Sequence, residues 1–461
     1  MLLQNSLEDT IVAISSPYGM GGVAVIRCSG KLAFNITQQL FFKKKFSKWD
    51  LKKIVFRKMY YGIIIENENV IDDVMVCFFQ SPHSYTGEDV VEIYCHGSIY
   101  VQQKILQLYL NKGARLANAG EFTIRAYLNG KLNLSEAEAI GDLIHAETEA
   151  EHRLAIDQLR GGYKNLIEHL REQLLNFASL IELELDFSEE DVEFANRTQL
   201  IQLLQSALSD IEKLTESFQM GNAIKTGIPV VILGKPNAGK STLLNALLNE
   251  EKAIVSEIPG TTRDLIEDKL IINGIAFRII DTAGIREAKD EIEKIGIERA
   301  QQSIQKAMIV ILLQDISKSD HHSTEEYIQM INSFNPNAVI LKVYNKIDKL
   351  NEIKFKEDDS IYISAKEKIN IDVLKQKLFH IVLEKGYQPH RPMVTNVRHF
   401  NELNAAKKFL NKALNDLKTN VSTELIAEDL KFAIHHLSNI TGNITSEDIL
   451  KNIFSKFCIG K

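Results

Sequence analysis

Basic residues are the minority charge in this 461-residue chain: Lys plus Arg number 54 against 61 Asp plus Glu, a formal net charge of -7. Bulk charge therefore does not suit it to coating nucleic acid, and any RNA contact needs a local patch. Cysteine is scarce. Cys28, Cys77, Cys95 and Cys458 form no C-x-x-C pair, which argues against a zinc ribbon and a disulfide framework. Long apolar runs are missing too. The strongest, Ala307 to Leu313, falls well short of the roughly 18–20 residues that span a bilayer, so no membrane partner is expected. The first residues reach Glu8 and Asp9 without a basic segment or an apolar core; no ordinary secretory signal is expected, and the cytoplasm is the expected compartment. The one tryptophan, Trp49, lies in a stretch from Phe41 to Lys53 with six lysines. That stretch reads as a solvated loop, with RNA contact through charge and stacking as the alternative.

What is present is ordinary for a globular chain, 45% hydrophobic and 25% charged, and its length suggests about three domains. Short β-type runs, Ile11 to Ile14, Gly22 to Arg27, Val70 to Phe79 and Val90 to Tyr94, alternate with an amphipathic stretch from Val101 to Leu110, as in an α+β domain. From Leu134 the period becomes helical. Leu166, Leu170, Leu174, Phe177 and Ile181 draw one apolar stripe, and Leu200, Leu204, Leu208, Ile211 and Leu214 a second. From Gly227 buried-type strands (Val230 to Leu233, Ile279 to Asp281, Ile309 to Leu313, Val339 to Tyr344) alternate with helices, the pattern of a parallel α/β sheet. Helical stripes return after Pro392, through Leu403, Ala406, Leu410, Leu414 and Leu417, then Ile426, Leu430, Ala433 and Leu437. The two helical parts read as one bundle with the α/β unit inserted between them. The expected domains are 1–131, 132–226, 227–384 and 385–461.

The strongest signal is Gly234-Lys235-Pro236-Asn237-Ala238-Gly239-Lys240-Ser241, followed by Thr242. It fits G-x-x-x-x-G-K-[ST] between a strand and a helix, where glycines let backbone N–H groups converge on phosphate oxygens and the helix N-terminus favours negative charge. Lys240 would reach the β- and γ-phosphates and the Ser241 hydroxyl would hold Mg²⁺. Three more segments follow in the order GTPases use. Asp281-Thr282-Ala283-Gly284 ends an apolar strand, where an Asp can hold the metal through water and a Gly amide can meet the γ-phosphate. Asn345-Lys346-Ile347-Asp348 supplies a carboxylate that accepts from guanine N1–H and the 2-amino group, which adenine cannot offer. Ser364-Ala365-Lys366 matches the segment whose backbone amide meets guanine O6. Between them Ser256-Glu257-Ile258-Pro259-Gly260-Thr261-Thr262 forms a polar loop suited to a switch, with Thr262 closing over the metal. GTP is the expected ligand.

In Ras-like GTPases a Gln after D-x-x-G orients the attacking water. Here Ile285 stands there, so either another polar group serves or hydrolysis is poor; Arg286, Glu287, Asp290, Glu291 and Glu293 are the candidates. Asn237, inside the phosphate loop, offers a carboxamide oxygen that could hold a monovalent cation against the phosphates.

Taken together, these motifs resemble those of the tRNA modification GTPase MnmE (TrmE) family over nearly the whole chain. The resemblance rests further on Pro17 to Arg27, Ser84 to Glu92, Cys95-His96-Gly97, Gly120 to Thr123, Arg125 to Lys131, Asp281 to Glu287 with Glu291-Ile292-Glu293, and the terminal Phe457-Cys458-Ile459-Gly460-Lys461. It implies a multidomain α/β fold: an N-terminal α+β folate-binding domain, an α-helical bundle, and an inserted P-loop, Ras-like GTPase domain. It also implies a homodimer that, with an FAD-dependent MnmG-type partner, modifies C5 of the wobble uridine of certain tRNAs using a folate-borne one-carbon unit, with hydrolysis stimulated by potassium. Carried over residue by residue, Asn237, Ser256, Ile258 and Thr261 match the potassium ligands, and Ser241 and Thr262 the Mg²⁺ ligands. Glu293 matches the glutamate that positions water indirectly. Arg27, Glu92, Lys131 and Lys461 match contacts to 5-formyltetrahydrofolate, whose pterin offers donors to a carboxylate and whose glutamate tail can pair with a cation. Cys458, in the terminal motif, is either a nucleophile near the one-carbon donor or a positional residue; Cys28, Cys77 and Cys95 read as core.

Overall fold

A computed structural model describes residues 8–43, 47–186, 196–248, 268–280, 301–318, 321–350, 360–389, 391–419 and 421–442, together with 450, 453, 454, 457 and 460. The chain divides into two compact units. The first holds residues 1–144, 158–203 and 408–461; the second holds 145–157 and 204–407.

In the first unit, strands β1 (Ile11–Ile14), β2 (Gly21–Ser29), β3 (Phe41–Phe42), β4 (Met59–Glu66), β5 (Asn69–Phe79), β6 (Val90–Gly97) and β7 (Arg115–Leu116) form one sheet in the order β3-β4-β5-β6-β2-β1-β7. Period-two alternation buries Ala24, Ile26 and Cys28 of β2 with Val91, Ile93 and Cys95 of β6. They pack beneath helices α1 (Ala33–Leu40) and α2 (Ile99–Asn111), which contribute Ile36, Leu40, Ile105 and Tyr109. Cys28, Cys77 and Cys95 are all buried, and burial pushes the Cys95 thiol up to about 11, so these cysteines are core, as expected. Trp49 departs from the solvated-loop reading. Its ring stacks on Phe41 at 5.5 Å and meets Tyr60 edge-on at 5.0 Å, while the Lys43 ammonium lies 4.9 Å from its centre. An aromatic of this size gains more by closing the sheet edge than by facing water, while the described lysines near it, Lys43, Lys48, Lys52 and Lys53, are exposed.

Helices α3 (Glu121–Leu128) and α4 (Leu134–His145) follow. Asn133 caps α4: its Oδ1 accepts from Glu136 N at 2.9 Å and Glu136 Oε2 accepts from Asn133 N at 3.0 Å, a reciprocal box that satisfies two otherwise unpaired donors. On α3, Arg125 is fully buried and pairs with Asp9 (2.6 Å), Glu88 (3.2 Å) and Glu121 (3.0 Å). Arg115 also pairs with Asp9 and Glu121. A small apolar cluster beside α3 and α4 takes Ile124, Leu134 and Ala137 together with Leu450, Phe454 and Phe457 from the far end of the chain.

Helices α5 (Glu149–Leu159), α6 (Lys164–Asp186) and α7 (Arg197–Thr226) come next. The buried stripe of α6 is Ile167, Leu170, Leu174, Ala178 and Ile181, with buried Tyr163 just before the helix. Leu166 and Phe177 are only half-buried because the contact line follows the 3.6-residue period and drifts by one position at each end.

The second unit contains β8 (Ile228–Leu233), α8 (Lys240–Leu248), β9 (Asp268–Ile272), β10 (Ile275–Ile279), β11 (Ile309–Asp315), α9 (His321–Phe334), β12 (Val339–Asn345), β13 (Ile361–Tyr362) and α10 (Ile371–Glu384). Its sheet runs β13-β12-β11-β8-β10-β9. Every neighbouring pair is parallel except the edge hairpin β9–β10. That hairpin turns on Asn273 (φ +48°) and Gly274 (φ +76°), the two positive φ values that a type I′ turn demands. Ile309, Val310, Ile311, Leu312 and Leu313 of β11 are all fully buried, as expected of a strand covered on both faces.

After these come α11 (Val397–Lys418) and α12 (Thr423–Thr441). Ile426, Leu430, Ala433 and Leu437 of α12 are buried as one stripe. Gly442, with φ +86°, ends the helix with its N–H on Ser438 O. Together these elements make a multidomain α/β protein with an N-terminal domain, helices and mixed sheets. Among the described residues, no helix is long and apolar enough to cross a membrane.

Candidate functional site

The phosphate loop lies at the carboxyl end of β8, in the crevice where parallel sheets place ligands. Two glycines are required there. A Cβ on Gly234 (φ +156°) would sit 2.1 Å from the Leu313 carbonyl oxygen, and one on Gly239 (φ +99°) would sit 2.4 Å from Asn345 Nδ2. Asn237 holds a left-handed φ of +64°. Lys240, the first residue of α8, folds its ammonium back onto the carbonyls of Gly234 (2.8 Å) and Lys235 (3.2 Å). Burial pushes its pKa down, and a bound polyphosphate would supply charge that favours the ammonium. The loop thus fits a phosphate chain: room for backbone only, a partly buried cation and a helix N-terminus.

Asn345 ends β12 and is buried. Its Nδ2 donates to Ala238 O at 2.9 Å, and its Oδ1 accepts from Lys346 N at 2.8 Å and Ala365 N at 2.9 Å. One carboxamide therefore ties the phosphate loop to the segments expected to read guanine. The Ala365 amide is engaged by this bond. Asp348 is exposed, and Ser364 Oγ donates to its Oδ1 at 2.5 Å. That bond first, with help from Lys366 and Lys349, holds its carboxyl below the usual range. An aimed, ionised carboxylate is the acceptor that a purine with two adjacent donors requires. Lys366 pairs with Glu367 at 2.8 Å.

The structure thus brings Asn237, Ala238, Gly239, Lys240, Asn345, Lys346, Asp348, Ser364 and Ala365 around one loop cluster. Ser256 to Thr262, Asp281 to Gly284, and the candidates Arg286, Glu287, Asp290, Glu291 and Glu293 lie outside the described residues, as do Cys458 and Lys461. Sequence reasoning missed Asp315, which accepts the Lys346 ammonium at 2.6 Å. The only signal was its position at the end of β11.

In the first unit, β2 and β6 place Arg27 directly opposite Glu92. Arg27 Nε and Nη2 both lie 2.9 Å from Glu92 Oε1, and Tyr94 OH donates to Oε2 at 2.7 Å. The guanidinium lies 5.1 Å from the Tyr85 ring centre. A partly buried carboxylate with lone pairs to spare, beside a cation and an aromatic ring, suits a flat heterocycle that carries donors. Lys131 is turned to Pro82 O at 2.9 Å and does not join the pair. Gly460 seats against the end of β1: Ser15 Oγ, just past the strand, donates to Gly460 O at 2.9 Å. Gly460 has φ +101°, and a Cβ there would sit 2.1 Å from Ile14 O. Gly460→Ala should therefore unseat the terminal residues, costing about 1–3 kcal/mol in strain. Limited proteolysis should release the end of the chain sooner than in the unmodified protein while cleavage elsewhere keeps its rate. Unchanged release would mean that the seat is not needed.

Strand, glycine-bearing loop and following helix define a P-loop nucleotide-binding protein. Comparison with known proteins is more specific. The family description "MnmE helical domain" matches residues 134–458, and "GTP-binding protein TrmE N-terminus" matches residues 10–131. The tRNA modification GTPase MnmE of Cytophaga hutchinsonii is 48% identical over 457 residues, covering 98% of each chain. That of Flavobacterium johnsoniae is 50% identical over 465 residues, covering 98% of this chain and 99% of its own. The chain belongs to the tRNA modification GTPase MnmE family.

Proposed function

We propose that the protein hydrolyses GTP and uses the cycle to drive modification of the wobble uridine of certain tRNAs. The observation that carries this is the exposed Asp348 carboxylate, aimed by Ser364 and set three residues beyond the carboxamide that grips the phosphate loop. The domains are proposed as 1–131 for folate binding and dimerisation, 132–226 with 385–461 as the helical bundle, and 227–384 as an inserted Ras-like G domain. Support for the insertion comes from the second unit's main span, 204–407, which in sequence lies between segments of the first unit. Its strand order further supports a G domain.

Within that domain Lys240 binds phosphate charge, and Ser241 with Thr262 would hold Mg²⁺ through hard oxygen donors. Asn237, Ser256, Ile258 and Thr261 would hold K⁺. Mg²⁺ and K⁺ supply positive charge against the polyphosphate, and Glu293 positions water. Arg27 and Glu92, with Lys131 and Lys461, form the folate site, where 5-formyltetrahydrofolate or a related one-carbon folate would bind. Cys458 acts near it, as a nucleophile or as a positional residue. The reading includes a homodimer, an MnmG-type FAD protein as partner and a cytoplasmic setting.

The test is competition between nucleotides. GTP should displace a fluorescent guanine nucleotide at least about 100-fold more effectively than ATP, the margin expected when a site's polar groups lose their partners. Asp348→Ala should erase most of that margin, and turnover should be higher in KCl than in NaCl at equal ionic strength. Equal affinity for the two triphosphates would overturn the proposal.

A further inference from the structure

Asp315 is the last residue of β11 and stands in register with Asn345 on β12. Both of its oxygens are committed. Oδ1 accepts from Ser317 N at 3.1 Å and Ser317 Oγ at 2.6 Å, and Oδ2 takes the Lys346 ammonium at 2.6 Å. The same ammonium donates to Asn237 O at 2.6 Å. Asp315 is 12% exposed at its side chain and Lys346 23%, so the pair is largely shielded from competing water.

Two consecutive carbonyls of the phosphate loop are therefore held by two consecutive residues of the guanine motif: Asn237 O by Lys346 and Ala238 O by Asn345. The second grip is built on a short, planar carboxamide. The first depends on a lysine, a point charge on a flexible stem with three rotatable donors. A lysine alone does not fix where its ammonium sits; a carboxylate anchored to its own strand end does. Asn237 also adopts a left-handed φ, a conformation that persists in a non-glycine residue when its surroundings enforce it.

We infer that Asp315 is a positioning residue, which pins the Lys346 ammonium against Asn237 O and so couples the base-reading loop to the phosphate loop. The inference rests on the guanine-nucleotide reading above and adds to it a residue that need not touch the nucleotide.

The experiment is a double-mutant cycle on the full chain, read by the affinity and dissociation rate of a fluorescent GDP analogue. Asp315→Asn keeps the acceptor for Ser317 and removes the charge. It should weaken binding about tenfold, within the range of coupled polar networks, mainly through faster dissociation, with the melting temperature nearly unchanged. In a Lys346→Met background the same substitution should change affinity less than about twofold, because its effect passes through the ammonium. A residue needed only for folding would lower stability and act equally in both backgrounds. Ser317→Ala, which loosens the anchor without touching Lys346, should give a smaller loss that also vanishes in the Lys346→Met background; it decides the matter if Asp315→Asn does not fold. Full additivity, or wild-type affinity in Asp315→Asn, overturns the inference while leaving nucleotide binding standing. No guanine-nucleotide binding by the unmodified protein overturns both.

Discussion

Replacing Asn345 with alanine should weaken guanine-nucleotide binding roughly 100- to 1000-fold. The side chain is buried and makes three hydrogen bonds: to the carbonyl of Ala238, from the amide of Lys346 and from the amide of Ala365. Truncation leaves a buried carbonyl and a buried amide without partners, at about 1–3 kcal/mol each. Without nucleotide the loops can relax toward water and recover much of this. With nucleotide they must return to the gripping geometry, so the cost falls on affinity, at about 1.4 kcal/mol per tenfold. Titration with a fluorescent GDP analogue measures it, with circular dichroism as the check on folding. A loss below tenfold in a folded variant would mean that the two loops hold their places without the shared carboxamide.

The largest expected loss of stability belongs to Arg125→Met. The guanidinium is fully buried against Asp9, Glu88 and Glu121, and removing one partner from such a cluster strands the opposite charges at a cost of about 3–5 kcal/mol. The first unit's urea midpoint should fall by roughly 1–3 M, and adding Glu121→Gln should restore part of it.

The pH dependence has a definite sign. Burial raises the Asp9 and Glu121 carboxyls, but the bonds from Arg115 and Arg125 outweigh it and hold both below their ordinary values. A carboxylate depressed on folding contributes stability that is complete above its unfolded value, roughly 4. That contribution is lost as pH falls through the lower folded value. In Arg125→Met the stranded carboxylates take up protons more readily, so the gap between variant and unmodified protein should narrow as pH falls. A gap that widened in acid would contradict the charge assignment.

How far the fold could be read in advance depended on how local each feature is. Gly234 to Ser241 announce themselves because a phosphate loop is built from adjacent residues, and β1, β2, β11 and β12 fell within a few residues of their apolar runs. Family resemblance supplied Arg27 and Glu92 among four folate contacts, without pairing them; the sheet register sets those two opposite each other. Features made by distant residues were not legible. Nothing near Asn345 tells that its carboxamide reaches Ala238, 107 positions away. Trp49 looked solvated because its lysine neighbours are local, whereas Tyr60, which it meets edge-on, belongs to β4. The hairpin at Asn273-Gly274 carried a readable turn signal that the strand pattern alone did not use.

The closure of the first unit by Leu450, Phe454 and Phe457 against Ile124 and Leu134 has a consequence for biogenesis. About 300 residues must be translated between the two sides of that cluster, which at ~5–20 residues per second takes roughly 15–60 s. The span 204–407 leaves the ribosome within that interval and can complete its own sheet first. Until Leu450, Phe454 and Phe457 arrive, the apolar side chains of Ile124, Leu134 and Ala137 lack these partners, and transiently exposed apolar surface of this kind is what chaperones protect.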